Sequence, residues 1–203
     1  RFGKVLANDH IHLKVEKGSV HSIVGENGAG KTTLMNILYG LYQADSGEIF
    51  INGEKVTIHN PSDAIDHGIG MIHQHFKLIP AMTVAENVML GTEPRKAKIF
   101  LDQKQIKSHT QELSKQYGLA VDPDALVADI SVGIQQRVEI LKVLYRNANL
   151  LILDEPTALL TPQETEDLFK IIYRLRNDGK TILFISHKLK EIMEISDRVT
   201  VLR

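Results

Sequence analysis

Residues 25–32 read Gly25-Glu26-Asn27-Gly28-Ala29-Gly30-Lys31-Thr32, a match to G-x-x-x-x-G-K-[ST]. Glycines at these spacings let backbone N–H groups curl around a phosphate at the start of a helix. Lys31 then supplies a point charge for β and γ oxygens, and the Thr32 hydroxyl, with Thr33 beside it, suits Mg²⁺. Such chemistry also needs carboxylates. Leu150-Leu151-Ile152-Leu153-Asp154-Glu155 offers two at the end of an apolar run. Asp154 is suited to holding Mg²⁺ directly or through water, and Glu155 to polarising an attacking water as general base. Alone, the first segment is a glycine-rich turn and the second a solvated acidic one. Their partnership is what points to phosphoryl chemistry.

These residues must be held by elements that the rest of the chain specifies. Short Val, Ile and Leu runs at Val20 to Val24, Ile69 to Ile72, Leu150 to Leu153, Ile182 to Ile185 and Val199 to Leu202 alternate with helix-like stretches. That is the pattern of parallel strands buried on both faces, and it predicts an α/β fold with a P-loop NTPase core. Gly47 to Ile58 alternates around Asn52-Gly53, a type I′ hairpin signal, so a small antiparallel β subdomain is expected to flank the parallel sheet, joined by residues 5–15. Strand signals vanish between about 78 and 127, and Gln103 to Tyr117 reads as a polar helix, so an inserted helical subdomain is expected there. Ile134, Val138, Leu141 and Tyr145 share one face of a helix that starts at Ser131. Thr161-Pro162-Gln163-Glu164 is a capping-box start for another, running to about Asp178 before Gly179.

Composition bounds the function. Twenty-four Lys and Arg against 25 Asp and Glu give a formal charge of −1, with no electrostatic footprint for nucleic acid or anionic lipid. The chain has no cysteine, which removes disulfides, thiolate metal sites and a cysteine nucleophile. None of its apolar runs approaches the roughly 18 residues of a membrane span. At 203 residues, 43% hydrophobic, it can bury one substantial core, and it reads as a single domain over 1–203. It begins at Arg1 and stops in the run Val199, Val201, Leu202, the interior of a strand, so it reads as a segment of a longer protein.

In motif order the chain resembles the nucleotide-binding subunit of an ATP-binding cassette (ABC) transporter, over essentially its whole length. The phosphate loop matches at GENGAGKT, the Q-loop glutamine at Gln74 in IHQHF, the signature at ISVGI, the paired carboxylates at LLILDE and the switch histidine at His187 in ISHK. The resemblance implies ATP and Mg²⁺ as cofactors, with Glu155, His187 and Gln74 catalytic and Thr32, Gln74 and Asp154 around the metal. It implies that Phe2 stacks on adenine. It also implies that Ser131 and Gly133 contact the γ-phosphate of ATP held by the opposite cassette, which their place at a helix start suits physically. The other histidines lack metal-ligand spacing, and His73 and His75 read as structural.

Two positions depart from the common LSGGQ pattern: Val132 replaces its first glycine and Ile134 its glutamine; in the following loop, Thr161 stands where Asp is usual. GLYQADSGEI and DEPTALLTPQE resemble the subgroup of importers for nucleosides or simple sugars, in which two cassettes often share a chain. The expected partners are permease subunits, docking near Gln74 to Asn87, a second cassette in cis or trans, and a substrate-binding protein indirectly. The expected location is the cytoplasmic face of the cell membrane. The competing reading is the cassette of a soluble ABC protein such as a translation factor. A repair ATPase would carry heptads between Lys31 and Ser131, which are missing, and a small-molecule kinase has no use for the signature or His187.

Overall fold

The computed structural model describes residues 1–92, 94–96 and 100–203. Its centre is a five-stranded parallel sheet with β1 at Val20–Val24, β4 at Ile69–Ile72, β7 at Leu150–Asp154, β8 at Thr181–Ile185 and β9 at Arg198–Val201, in the order β4-β7-β8-β1-β9. Every pairing in it is parallel, with Val20 opposite Ile182 and Leu151 opposite both Gly70 and Ile182. The central strands are apolar on both faces because helices cover both. α1 (Lys31–Leu38) and α2 (Pro61–Asp66) lie on one side with Ile23, Met71, Ile152 and Leu183. α5 (Val132–Tyr145) and α6 (Pro162–Asn177) pack on the other with Ile72, Leu151, Leu153 and Phe184. α7 (Leu189–Ile195) leads into β9.

Beside the sheet, β2 (Ile49–Ile51) and β3 (Glu54–Val56) pair antiparallel. Their turn is the expected one, with positive φ at both Asn52 (53°) and Gly53 (86°). Residues 5–15 do not join this pair. Ile11, Leu13 and Val15 point alternately onto the core as a strand would, yet His10 turns to a φ of 48° and the segment is anchored beyond the hairpin, Gly18 N–H donating to Thr181 Oγ1 at 3.0 Å. Side-chain burial thus produces strand periodicity without strand pairing.

The stretch from about 78 to 127 holds α3 (Val84–Met89), α4 (Gln103–Tyr117), a 3₁₀ turn at Val127–Asp129 and a short hairpin, β5 (Arg95–Lys96) with β6 (Phe100–Leu101). Two residues per strand are too few for a periodicity signal, so the hairpin was not expected. The helix starts are locally encoded: Thr83 and Thr161 each form a complete capping box, with Glu86 and Glu164. Ser131 caps α5 by accepting from Ile134 N–H, and helix α6 stops at Asn177 ahead of Gly179. Among the described residues no helix is long and apolar enough to cross a membrane.

Candidate functional site

All five strands of the sheet run the same way, so the residues that follow them gather on one edge. There β1 delivers the glycine loop, β7 delivers Asp154 and Glu155, β8 delivers His187, and β4 delivers Gln74. Within the loop, Lys31 is buried and its Nζ donates back to the carbonyls of Gly25 (2.7 Å) and Glu26 (3.0 Å). Ala29 N–H closes on Glu26 O at 3.2 Å, leaving Asn27 and Gly28 exposed at the crest. Gly30 has a φ of 87°, and a Cβ there would collide with the Ala7 carbonyl, so glycine is needed twice over. No side chain caps α1, whose first residues are Lys31, Thr32 and Thr33, so its leading amides keep their capacity for an anion.

Asp154 is 6% exposed, and its Oδ1 is buried without a hydrogen-bond partner among the described residues. Burial pushes the carboxyl up and the Glu155 charge adds to this, while Thr32 and the Lys31 charge oppose it. An orphaned carboxylate oxygen next to a hydroxyl is a fitting donor set for a hard divalent cation that takes its remaining ligands from phosphates and water. Glu155 sits in the left-handed region at a φ of 49°, held by its N–H on Ile185 O at 3.0 Å. Its carboxylate meets His187 Nδ1 at 2.9 and 3.0 Å, the Glu155 side chain being mostly buried and that of His187 exposed.

Beneath this pair lies a network that sequence reasoning missed. Glu191 Oε2 accepts from Thr157 Oγ1 (2.7 Å) and Ser186 Oγ (3.1 Å), both fully buried, and Lys188 bridges Glu191 and the Thr157 carbonyl. It ties the turn after β7 to the turn after β8. Lys188 and Glu191 at i, i+3 were a visible signal, but their partner Thr157 lies far off in sequence.

Gln74 is exposed just past β4, on the same edge. Phe2 is 49% exposed and meets Tyr42 edge to face, centroids 5.2 Å apart, with a bridge between Phe2 and Val5. Ser131 and Gly133 are not joined to the glycine loop. Their anionic neighbour is a carboxylate of the same chain: Gly133 N–H donates to Glu164 Oε1 at 3.0 Å. Glu164 was legible as a capping-box residue, but this second engagement needs the folded chain.

The apolar segment Gln74 to Asn87 is only partly surface. Ile79, Pro80 and Ala81 are exposed, Phe76, Leu78 and Met82 are half-buried, and Val84 and Asn87 are fully buried. Asn87 is therefore a core position and no part of the surface expected from Gln74 to Asn87. Its amide accepts Ile79 N–H (2.7 Å) and donates to the carbonyls of Ile79, Met82 and Thr83.

A family model described as ABC transporter matches residues 8–158. The chain is 55% identical over its full length to the nucleoside import ATP-binding protein NupA of Lactococcus lactis subsp. cremoris, covering 40% of that protein. It is 57% identical to the guanosine import ATP-binding protein NupO of Bacillus subtilis, covering all of this chain and 39% of that one. The chain thus spans about two fifths of the length of these curated relatives. Among solved structures, the ADP conformation of an ATP-binding cassette of an ABC transporter superposes with a TM-score of 0.87 at 27% identity, over 99% of this chain and 83% of that one. With three quarters of its residues inside the family model and the cassette fold carried throughout, this chain belongs to the ABC transporter family.

Proposed function

We propose that the chain binds ATP with Mg²⁺ along the C-terminal edge of its sheet and hydrolyses it to power import of a nucleoside or simple sugar through membrane permease subunits. The observation that carries the reading is the Glu155 carboxylate, engaged with His187 and adjacent to the buried Asp154, on the edge that also presents the Lys31 loop. The import functions printed for the relatives support the substrate class.

In this reading the loop amides and Lys31 bind the β and γ phosphates, and Phe2 stacks on the base. Thr32, Asp154 and Gln74 would hold the Mg²⁺, which when bound would neutralise developing charge on the phosphates. Glu155 accepts a proton from the attacking water as the new P–O bond forms at the γ-phosphorus. The bond to the β–γ bridging oxygen breaks and ADP leaves. His187 orients Glu155 through Nδ1 and offers Nε2 to the γ-phosphate. Ser131 and Gly133 complete the nucleotide of a second cassette, in the same chain or another. The helical insertion at about 78–127 faces the permease at the cytoplasmic side of the membrane, with Gln74 to Ala81 as contact surface. A substrate-binding protein acts on it only through the permease, and balanced charge supports a role without nucleic acid.

The test is uptake by the complete transporter in lipid vesicles, with labelled nucleosides and simple sugars in parallel and ATP supplied on the cassette side. ATP-dependent uptake that Glu155→Gln abolishes is expected; uptake indifferent to ATP overturns the reading. Docking is read separately by single cysteines at Leu78, Ile79 and Ala81 in this cysteine-free chain, where failure of all three to cross-link to the permease removes the contact surface alone.

A further inference from the structure

The helix that follows the glycine loop and the helix that follows Ser131 have differently prepared tips. α1 starts with no side-chain cap and no acid in its first turn, so its leading amides stand open. α5 has no acid in its own first turn either, yet its tip is already occupied. Ser131 Oγ accepts the Ile134 N–H at 3.4 Å, and Glu164 Oε1, brought by α6 from 31 residues downstream, accepts the Gly133 N–H at 3.0 Å. The Gln135 N–H closes on the Ser131 carbonyl at 2.9 Å, as the helix itself requires. Val132 and Ile134 add no side-chain donor. What this tip can offer an incoming anion is therefore the Ser131 hydroxyl and a short row of amides, one of which a carboxylate of the same chain already holds.

The residue types suit this contact. A Cβ on residue 133 would stand 2.6 Å from Glu164 Oε1, so the carboxylate closes on this tip only over a glycine. Glu164 also divides its two oxygens. Oε2 accepts the Thr161 N–H and hydroxyl, each at 3.0 Å, and Oε1 takes the Gly133 N–H. The carboxylate can therefore leave Gly133 by turning Oε1 away while Oε2 keeps the capping box shut, with the loss of one hydrogen bond. It is charged at neutral pH, because the Thr161 N–H, with the Gly133 N–H behind it, holds its carboxyl below the ordinary carboxylate range. Its side chain is half-buried at the surface, where it has room to swing.

We infer that Glu164 is an autoinhibitory stand-in for phosphate: it holds the place at the tip of α5 that the γ-phosphate of the opposite cassette's ATP must take, and pairing of the cassettes requires its displacement. The inference rests on the role proposed above for Ser131 and Gly133. One N–H serves a carboxylate and a phosphate oxygen together only if two like charges lie within about 4 Å of each other, so the carboxylate withdraws as the phosphate arrives. Tethered to α6, it competes at a high effective concentration, and the bound nucleotide must outweigh it. The contact thereby raises the ATP concentration at which the cassettes pair. The capping box keeps the carboxylate near enough to return when the phosphate leaves.

The experiment titrates the complete transporter with Mg²⁺ and the β,γ-imido analogue of ATP, whose γ-phosphate persists, and reads hydrogen-exchange protection of the peptide covering Ser131 to Gln135. The parent is compared with Glu164→Gln, which keeps the shape and an acceptor for the cap, with Glu164→Ala, and with Glu166→Gln. The last removes a charge from an exposed side chain two residues further along α6 and controls for the general field. In the parent the analogue protects the peptide. Glu164→Gln and Glu164→Ala are each expected to lower the concentration for half protection at least threefold, and Glu166→Gln to leave it within about 1.5-fold of the parent. A purely structural Glu164 would move the half-point the other way, because losing its hydrogen bonds loosens the tip. Half-points at or above the parental one in both Glu164 variants overturn the inference, as does an equal drop in Glu166→Gln. A parent that binds the analogue without protection of this peptide overturns the proposed role of Ser131 and Gly133, and the stand-in with it.

Discussion

The two carboxylate oxygens of Glu155 lie 2.9 and 3.0 Å from Nδ1 of His187, 32 residues further along the chain. The relationship is set by register: Asp154 pairs with Ile185 across β7 and β8, and the Glu155 N–H closes on the Ile185 carbonyl before its side chain turns to the histidine. A carboxylate accepting at Nδ1 requires the proton there, so Nε2 of the neutral ring is an acceptor and donates to a phosphate oxygen only when the ring is doubly protonated. Glu155 retains further lone pairs for a water while it orients the ring.

Glu155→Gln keeps the shape and an oxygen for His187 while removing the base. Turnover is expected to fall about 10²–10⁴-fold with ATP affinity within about threefold of the parent. Phosphate release and equilibrium nucleotide binding measured on one preparation check this, and the trapped ATP is expected to favour paired cassettes by size-exclusion chromatography. Steady-state hydrolysis at the parental rate removes Glu155 from the chemistry.

Lys31→Ala deletes the charge that folds over the Gly25 and Glu26 carbonyls. Mg-ATP affinity is expected to weaken at least tenfold, about 1.4 kcal/mol or more. Stability without nucleotide should fall by only about 1–2 kcal/mol, because the two carbonyls lose a donor at a partly wet loop. Calorimetric titration reads the first and urea unfolding the second; undiminished affinity would sink the loop assignment.

Glu164 gives a pH dependence with a definite sign. The Thr161 N–H, and further the Gly133 N–H and the Ser131 hydroxyl, hold its carboxyl below the ordinary 4.5. A carboxyl depressed in the folded state stabilises the fold above its unfolded value and ceases to do so as pH falls through the folded one. Glu164→Gln is therefore expected to cost about 0.5–1 kcal/mol at pH 7, with the gap closing as pH drops below 4.5. Unfolding midpoints of the two proteins from pH 7 to pH 3 test it, and a gap that stays constant throughout contradicts it.

Asn87→Leu preserves volume but leaves the Ile79 N–H without its acceptor, while the carbonyls of Ile79, Met82 and Thr83 keep the backbone N–H groups of Met82, Val127 and Asn87. A loss of about 1–3 kcal/mol is expected in urea unfolding, since one buried donor left unpaired carries its full desolvation cost. A change under 1 kcal/mol would mean that water replaces the amide.

What could be read from the chain beforehand was what local rules encode. Val20 to Val24 and Ile182 to Ile185 announce themselves because a strand covered on both faces must be apolar throughout, and Thr161 with Glu164 because a capping box spans only four residues. The glycine loop was legible in the same way. Asn87 looked like surface because its polarity says nothing of the backbone groups that receive it. Residues 5–15 had the right alternation with no strand to pair with. Glu139 Oε1 accepts the Lys77 N–H from 62 residues away, and nothing in either neighbourhood names the other.

The strand order has a consequence for synthesis on the ribosome. β1, which delivers the phosphate loop, is the first of the sheet strands to be made, yet its neighbours β8 and β9 are the last two. The Gly18 to Thr181 hydrogen bond joins positions 163 residues apart, so at about 5–20 residues per second the Val20–Val24 segment waits roughly 8–33 s for a partner. During that interval an apolar strand bears two open edges, the situation in which nascent chains pair wrongly or recruit chaperones. Slowed translation after Asn177 should therefore lower the yield of soluble protein, because it prolongs the life of an orphan strand and leaves every finished contact as it was.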